Sequence, residues 1–239
     1  MKKIGMLAGM SWESSIEYYR IVNEEVKQAL GGLHSAECVM VSVDFDEYEK
    51  YQMSGDWQKA TERMIEVARS IENGGADFLL ICTNTMHKMA DEVQAAIQIP
   101  LLHIVDATAK EINAKGLHKI GLLGTKFTME EDFYVDRLKT QGLEVLIPDQ
   151  EERDIVHRII YEELVLGKIL QSSIKEYKKI IEKLVRNGAQ GIVLGCTEIG
   201  LLVKQNDYPI PLFDTTYVHA KAAVAVALDK KDIKEFLPD

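Results

Sequence analysis

The chain has 239 residues, of which 46% are hydrophobic and 28% are charged, and its formal net charge is −10. This composition is typical of a globular domain with a buried core, and the acidic balance argues against nucleic acid as a partner, since phosphate binding needs clustered lysine and arginine. No apolar run approaches the roughly 18 residues of a membrane span. The apolar start is short and interrupted by glycines, so we expect it to be the first strand of a cytoplasmic protein and not a signal peptide.

Short apolar segments alternate along the chain with longer segments whose apolar residues recur every three or four positions. This is the pattern of strands alternating with amphipathic helices, and it favours parallel sheets with helices on both faces. A helix is predicted to begin at Thr128, because Thr128–Glu131 has the capping-box pattern Thr-x-x-Glu. Two helical stripes are predicted, formed by Ile16, Tyr19, Val22, Val26 and Leu30, and by Met64, Val67, Ala68 and Ile71. The predicted strands lie at about 3–8, 38–45, 77–82, 100–104, 118–124, 143–148, 190–195 and 210–213.

Three segments of the first half recur in the second half, in the same order and at spacings of 111 to 116 residues. Each match alone is weak, but chance does not readily explain three in one order. The repeat predicts two similar α/β lobes related by a pseudo-twofold axis, each a mainly parallel four-stranded sheet flanked by helices. The first lobe is expected at 1–105 plus 214–239 and the second at 106–213, with an active-site cleft between them. The matched segments begin at Lys3 and Lys119, at Gly75 and Gly188, and at Ile99 and Ile210.

The second of these matches pairs two polar residues at the ends of predicted strands. Aligning Gly75 with Gly188 pairs Thr83 with Cys196. Cys82 lies one residue off that register, so its side chain should point to the opposite face of the strand, and we expect it to be a small buried core residue.

Ligands of parallel α/β sheets bind beyond the carboxyl ends of the strands, where helix starts offer free backbone N–H groups. Two such ends facing one ligand would suit a reaction that removes a proton from one face of a carbon and returns one to the other. Cys196 fits the proton-removing role, because helix N-termini and cationic neighbours lower the pKa of a thiol from about 8.5. The alternative is that Cys196 is an inert buried cysteine. The three cysteines lack CxxC pairing and the six histidines lack HExxH, so no zinc site is predicted.

At these strand ends the chain resembles the aspartate/glutamate racemase family. The second motif of that family stands intact as Gly195-Cys196-Thr197-Glu198, and the first stands as Thr83-Asn84-Thr85-Met86-His87, with Thr83 in the place of the family's first cysteine. The likeness is strongest to a subgroup with "GMSWES" and "CTNTMHK", and it covers nearly the whole chain. Further similar stretches lie at 5–14, 42–45, 122–134, 160–164 and 213–220.

The resemblance implies a racemase that acts on a small amino-acid substrate without pyridoxal phosphate, metal or other cofactor, and a homodimer. It implies that Cys196 takes the Cα proton of the L enantiomer and that Thr83 serves the opposite face. It also implies roles for the neighbours of these two residues. The α-carboxylate and amino group would be held by Asn84, Thr85 and Thr197, the pocket wall formed by Met10 and Ser11, and support given by His87, Glu198 and His219.

The threonine changes what the resemblance implies, because a hydroxyl is a poor base. We therefore expect an unequal racemase that accepts L substrate and handles D substrate badly. The side chain of L-aspartate or L-glutamate would need a cation or several donors, but Val165 and Leu166 stand where aspartate racemases carry a basic residue. Lys168 lies just past Gly167, where a helical lysine usually faces solvent, and Gln52 and Lys126 are the other candidates. A broad-specificity or hydantoin racemase-like isomerase is the alternative, and a non-catalytic amino-acid binding protein is the third reading.

Overall fold

The computed structural model describes residues 1–237 and divides the chain into two compact units. One unit contains Met1–Ile104 and the residues from His219 onward, and the other contains Val105–Val218. The strands are β1 (Ile4–Ala8), β2 (Cys38–Ser42), β3 (Phe78–Ile81), β4 (Lys119–Gly124), β5 (Glu144–Leu146), β6 (Ile192–Gly195) and β7 (Leu212–Asp214). The α-helices are α1 (Trp12–Leu30), α2 (Phe45–Ser54), α3 (Trp57–Asn73), α4 (Ala90–Ala95), α5 (Ile104–Ala114), α6 (Lys126–Glu130), α7 (Asp132–Thr140), α8 (Gln150–Glu162), α9 (Gln171–Arg186), α10 (Ile199–Leu202) and α11 (Thr215–Ala227).

The sheet of the first unit has three parallel strands in the order β2-β1-β3. The predicted fourth strand at 100–104 is wrong, because the chain makes only an isolated bridge from Leu101 to Leu79 before Ile104 begins α5. Strand β2 also ends earlier than predicted, at Ser42. The Asp44 side chain accepts a hydrogen bond from the Asp46 N–H, and this cap starts α2 at Phe45.

The sheet of the second unit has four parallel strands in the order β5-β4-β6-β7. Its first three strands have the same order as β2-β1-β3, and β7 takes the place that Leu101 holds beside β3. The α/β class, with parallel sheets flanked by helices, is therefore confirmed, while the first sheet has three strands instead of four. Along residues 1–237 no helix is both long enough and apolar enough to cross a bilayer.

The predicted apolar stripe of α1 is wrong at three of its five positions. Val22 and Val26 are buried, but Ile16, Tyr19 and Leu30 are 53%, 52% and 46% exposed. The buried face instead carries Tyr18 and Ile21 beside Val22 and Val26. It begins with two buried serines: Ser15 Oγ donates to the Ser11 carbonyl and accepts from the Gly9 N–H, and Ser14 is buried beside it. These bonds hold a polar first turn inward, which apolar periodicity does not report. The second stripe is confirmed, since Met64, Val67, Ala68 and Ile71 of α3 are all buried.

The prediction that a helix begins at Thr128 is wrong in position. Helix α6 begins two residues earlier, at Lys126, and its N-cap is Thr125, whose side chain accepts from the Thr128 N–H at 3.3 Å. Thr125 caps the helix because it has the extended backbone geometry of an N-cap where the chain leaves β4. Thr128 is instead buried in the first turn of α6, with its hydroxyl 3.2 Å from that of Thr125.

Candidate active-site residues

Cys196 directly follows β6, at the carboxyl end of a buried strand. Two glycines at this end, Gly124 of β4 and Gly195 of β6, are paired across the sheet. A Cβ on Gly124 would lie 2.8 Å from the Gly195 carbonyl oxygen, and one on Gly195 would lie 3.0 Å from the Leu123 carbonyl oxygen. The two strands therefore pack closely where β6 ends, and this packing fixes the backbone from which Cys196 projects.

The Cys196 thiol contacts a carboxylate. Its Sγ donates to Oε2 of Glu198 at 2.9 Å, and the Thr197 hydroxyl donates to the same oxygen at 2.8 Å. Glu198 is only 2% exposed and Cys196 8% exposed. The three consecutive residues therefore form a buried hydrogen-bonded cluster at the end of β6.

The expected lowering of the Cys196 pKa is wrong. Burial raises the pKa of the thiol well above its ordinary value, and the charge and hydrogen bond of Glu198 raise it further. A backbone hydrogen bond from Glu198 acts in the opposite direction but is the smallest cause. The helix that follows, α10, has only four residues. The thiol is therefore protonated in the free protein, and it must lose its proton before it can act as a base.

Two further buried acidic groups lie near this cluster. Tyr177 of α9 is fully buried, and its pKa is raised chiefly by burial, with Cys196, Glu163 and Glu198 adding to the effect. Glu163 follows α8 and accepts a hydrogen bond from the Ser173 hydroxyl at 2.5 Å. Sequence reasoning named neither residue as functional. Glu163 lies in the family-like stretch 160–164, which is a usable signal, whereas a tyrosine within an amphipathic helix such as α9 gives none.

Thr83 occupies the corresponding place in the first unit, just beyond β3. The Cys82 N–H donates to the Leu7 carbonyl and extends the ladder between β1 and β3. Thr83, Asn84 and Thr85 are all buried, and a 3₁₀ helix follows at Thr85–Met89. Cys82 is 1% exposed and burial raises its pKa, which confirms the prediction of a buried core cysteine.

His87 fixes the backbone at this strand end. Its Nδ1 lies 2.7 Å from the Thr83 carbonyl oxygen, and the Ile104 N–H donates to its Nε2 at 3.2 Å. Because Nε2 is the acceptor, Nδ1 carries the hydrogen and donates to Thr83. The ring therefore ties the Thr83 backbone to the start of α5, and the His103 ring packs against it with centroids 4.4 Å apart.

His219 makes a similar tie within the same unit. The Tyr18 hydroxyl donates to its Nδ1 at 2.9 Å, and its Nε2–H donates to the Leu102 carbonyl at 2.8 Å. Burial lowers the pKa of His219 to about 4, so the ring is neutral near pH 7. Within residues 1–237 no group of three or more histidine, cysteine or acidic side chains is arranged to hold a metal ion.

Met10 and Ser11, the predicted pocket wall, follow β1 and are buried. Ser11 is the N-cap of α1: its hydroxyl accepts from the Ser14 N–H at 3.4 Å, and its carbonyl accepts from the Ser14 and Ser15 hydroxyls. The capping role explains why a serine stands at this position. Contact with a substrate stays a prediction for both residues.

The two candidates for binding a side-chain carboxylate both have protein partners. The Gln52 amide is buried and donates to Sδ of Met86 at 3.1 Å. Lys126 Nζ lies 2.5 Å from Asp154. A substrate carboxylate would therefore compete with Asp154 for Lys126, and the prediction that these residues bind substrate stays untested.

Each unit thus gathers its own set of predicted residues at a strand end. Around Thr83 the first unit holds Asn84, Thr85 and His87, and it also contains Met10, Ser11, Gln52 and His219. The second unit holds Cys196 with Thr197 and Glu198, and it also contains Lys126.

Comparisons with known proteins agree with one another. A family model described as Asp/Glu/Hydantoin racemase matches residues 7–223. The broad specificity amino-acid racemase RacX of Bacillus subtilis (strain 168) is 26% identical over 228 residues, which cover 94% of this chain and 98% of RacX. A crystal structure from Yersinia pestis, described as a candidate Asp/Glu racemase, is 53% identical, with a TM-score of 0.89 and coverage of 95% of this chain and 100% of that one. An aspartate racemase homologue from Pyrococcus horikoshii OT3 is 35% identical, with a TM-score of 0.83 and the same coverage of both chains.

Proposed function

Because the chain belongs to the Asp/Glu/hydantoin racemase family and is an amino-acid racemase, we propose that it racemises L-aspartate and L-glutamate by proton transfer at Cα without a cofactor. The observation that carries the proposal is the buried Cys196 thiol, hydrogen-bonded to Glu198 at the end of a parallel strand. Strand ends of this kind are where α/β proteins bind ligands. A cytoplasmic homodimer is part of the same proposal.

In the proposed reaction Cys196 removes the Cα proton of the L enantiomer, and Thr83 delivers a proton to the opposite face. Asn84, Thr85 and Thr197 hold the α-carboxylate and amino group. His87 supports Thr83 through its backbone carbonyl, to which the imidazole donates. A hydroxyl can donate a proton to a strongly basic carbanion if water then reprotonates the hydroxyl oxygen. Because a hydroxyl is a poor base, it removes a proton slowly, and proton transfer at the two faces of Cα is therefore unequal.

This inequality has a defined kinetic form. The two enantiomers have the same free energy in water and share one set of transition states, so kcat/KM must be equal in the two directions. The asymmetry therefore shows in hydrogen exchange: Cys196 removes the proton on the L face, the thiol exchanges that proton with solvent, and the solvent proton is returned to Cα. This cycle can run repeatedly before Thr83 completes one inversion. The D enantiomer, in contrast, loses its proton only as fast as Thr83 permits.

A broad-specificity racemase is the second candidate. The observation that favours it is that Lys126 is already paired with Asp154 and Gln52 with Met86, which leaves the side-chain carboxylate of an acidic substrate without an obvious dedicated partner in either residue. RacX, the Bacillus subtilis relative, carries that description in its name.

A panel of L-amino acids separates the two candidates. We expect L-aspartate and L-glutamate to lose optical rotation at least about tenfold faster than L-asparagine and L-glutamine, their neutral counterparts of similar size, because the uncharged amides lose charge-assisted hydrogen bonds. Comparable rates for acids and amides would favour the broad-specificity reading. Loss of rotation by none of the amino acids would contradict the proposed function.

A further inference from the structure

One carboxylate oxygen of Glu198 accepts two hydrogen bonds, one from a thiol and one from a hydroxyl, at the end of β6. Oε2 accepts from Cys196 Sγ at 2.9 Å and from Thr197 Oγ1 at 2.8 Å. The carboxylate is therefore held directly against the atom that must become the base. Its side chain is more than nine-tenths buried, as is Cys196.

The burial limits where the thiol proton can go. A thiol cannot accept the Cα proton until it has lost its own, and the Cys196 sulfur has little contact with solvent. The carboxylate of Glu198 is in hydrogen-bonding contact with that proton. Moving the proton from sulfur to oxygen converts a thiol and a carboxylate into a thiolate and a carboxylic acid, so the pair keeps a net charge of −1. The transfer therefore adds no charge to the buried site. An additional buried charge would cost free energy.

We propose that Glu198 takes the proton of Cys196 when substrate binds, and holds it while the thiolate removes the Cα proton. This rests on the proposed racemase function. In the step the S–H bond breaks and an O–H bond forms on Glu198; the Cα–H bond then breaks and a new S–H bond forms, with the electron pair left on Cα. A solvent proton, passed through Thr83, completes the product, and Glu198 returns its proton to solvent. Glu198 acts through Cys196, and is a positioning and proton-holding residue.

The other titratable groups around the pair have different partners. The buried carboxylate of Glu163 accepts from Ser173, and the Tyr177 phenol, whose pKa is raised, stays neutral near pH 7. The Asp214 carboxylate faces Gly200 of α10 and accepts from the Thr216 and Tyr217 N–H groups. Among these acids, Glu198 is the one that raises the pKa of the Cys196 thiol.

The test compares Glu198→Gln with Glu163→Gln, which neutralises the other buried carboxylate of this region. The pKa of Cys196 is followed through its ¹³Cβ chemical shift against pH, with the signal assigned by its loss in Cys196→Ala. Glu198→Gln removes a negative charge beside the thiol, so the Cys196 pKa should fall, while racemisation of L-glutamate should slow by about 100-fold or more because the proton acceptor is gone. Glu163→Gln should leave the Cys196 titration at the wild-type position.

The two readouts move in opposite senses, which a merely structural role would not produce. An unchanged Cys196 pKa in Glu198→Gln, or a lowered pKa with undiminished racemisation, would overturn the proposal. If circular dichroism shows that Glu198→Gln does not fold, Glu198→Asp is the second variant, because it keeps the charge but withdraws it by one methylene. A loss of at least about tenfold in the racemisation rate of Glu198→Asp supports the proposal, and a wild-type rate overturns it. Absence of racemisation by the wild-type protein would refute the proposed function instead, and the titration would still report whether Glu198 controls the thiol.

Discussion

Replacing Cys196 with alanine should lower the rate of L-glutamate and L-aspartate racemisation by at least about 10³-fold, because the base toward the L face is removed. Binding of the amino acid should persist, since the proposed contacts of the α-carboxylate and amino group come from other residues. Loss of optical rotation measures the first effect and isothermal titration calorimetry the second. The separation of rate from binding distinguishes a catalytic role from a structural one.

Cys82→Ala is the matched control for this variant. Cys82 undergoes the same substitution and is also buried, but its side chain belongs to the core. We expect its racemisation rate to stay within a few-fold of the wild type, with a modest loss of stability from the small cavity. Racemisation that persists in Cys196→Ala would show that Cys196 is not the base, and would contradict the proposed mechanism.

Thr83→Cys should make the reaction more symmetric. A thiol on the second face can remove a proton as well as deliver one, whereas a hydroxyl removes it poorly, because the pKa of a thiol is about 8.5 and that of an aliphatic hydroxyl is far higher. Deuterium exchange into D-glutamate should therefore rise by about 100-fold or more. The kcat/KM values of racemisation should rise by one common factor in both directions, because the enantiomers are equal in free energy.

Thr83→Ser keeps a hydroxyl at the same place and serves as the control. Its exchange into D-glutamate should stay slow, because serine is no better a base than threonine. An unchanged exchange rate in a folded Thr83→Cys protein would show that residue 83 does not serve the D face. Circular dichroism of both variants establishes that the fold is kept.

Much of the fold follows from apolar patterning. Strands β1, β3, β4 and β6 are predicted to within about two residues because each is a short apolar run bounded by glycine or polar residues. The predicted strand at 100–104 is wrong because an apolar run does not show whether its backbone pairs with a neighbouring strand along its whole length. Here only Leu101 forms a bridge, to Leu79. The predicted stripe of α1 is wrong because two overlapping apolar sets have helical spacing. The buried set contains Tyr18 and Ile21, on the face where the Ser14 and Ser15 hydroxyls donate to the Ser11 carbonyl.

The candidate site is predictable in position but not in electrostatics. The repeat places Thr83 and Cys196 just beyond corresponding strands, and the structure has β3 and β6 ending there. The direction of the Cys196 pKa shift depends on whether the Glu198 side chain turns toward the sulfur, and a spacing of two residues does not determine that. The buried neighbours Tyr177, in α9, and Glu163, which follows α8, are distant from Cys196 in the sequence, and apolar patterning does not show that they lie near it.

The central claim is that a thiol serves one face of Cα and an alcohol the other. Its most direct test is the initial rate of deuterium incorporation at Cα, measured by ¹H NMR in deuterated water from pure L-glutamate and, separately, from pure D-glutamate. We predict that L-glutamate gains deuterium faster than it inverts, and that D-glutamate gains deuterium no faster than it inverts. Equal initial incorporation from the two enantiomers would contradict the account.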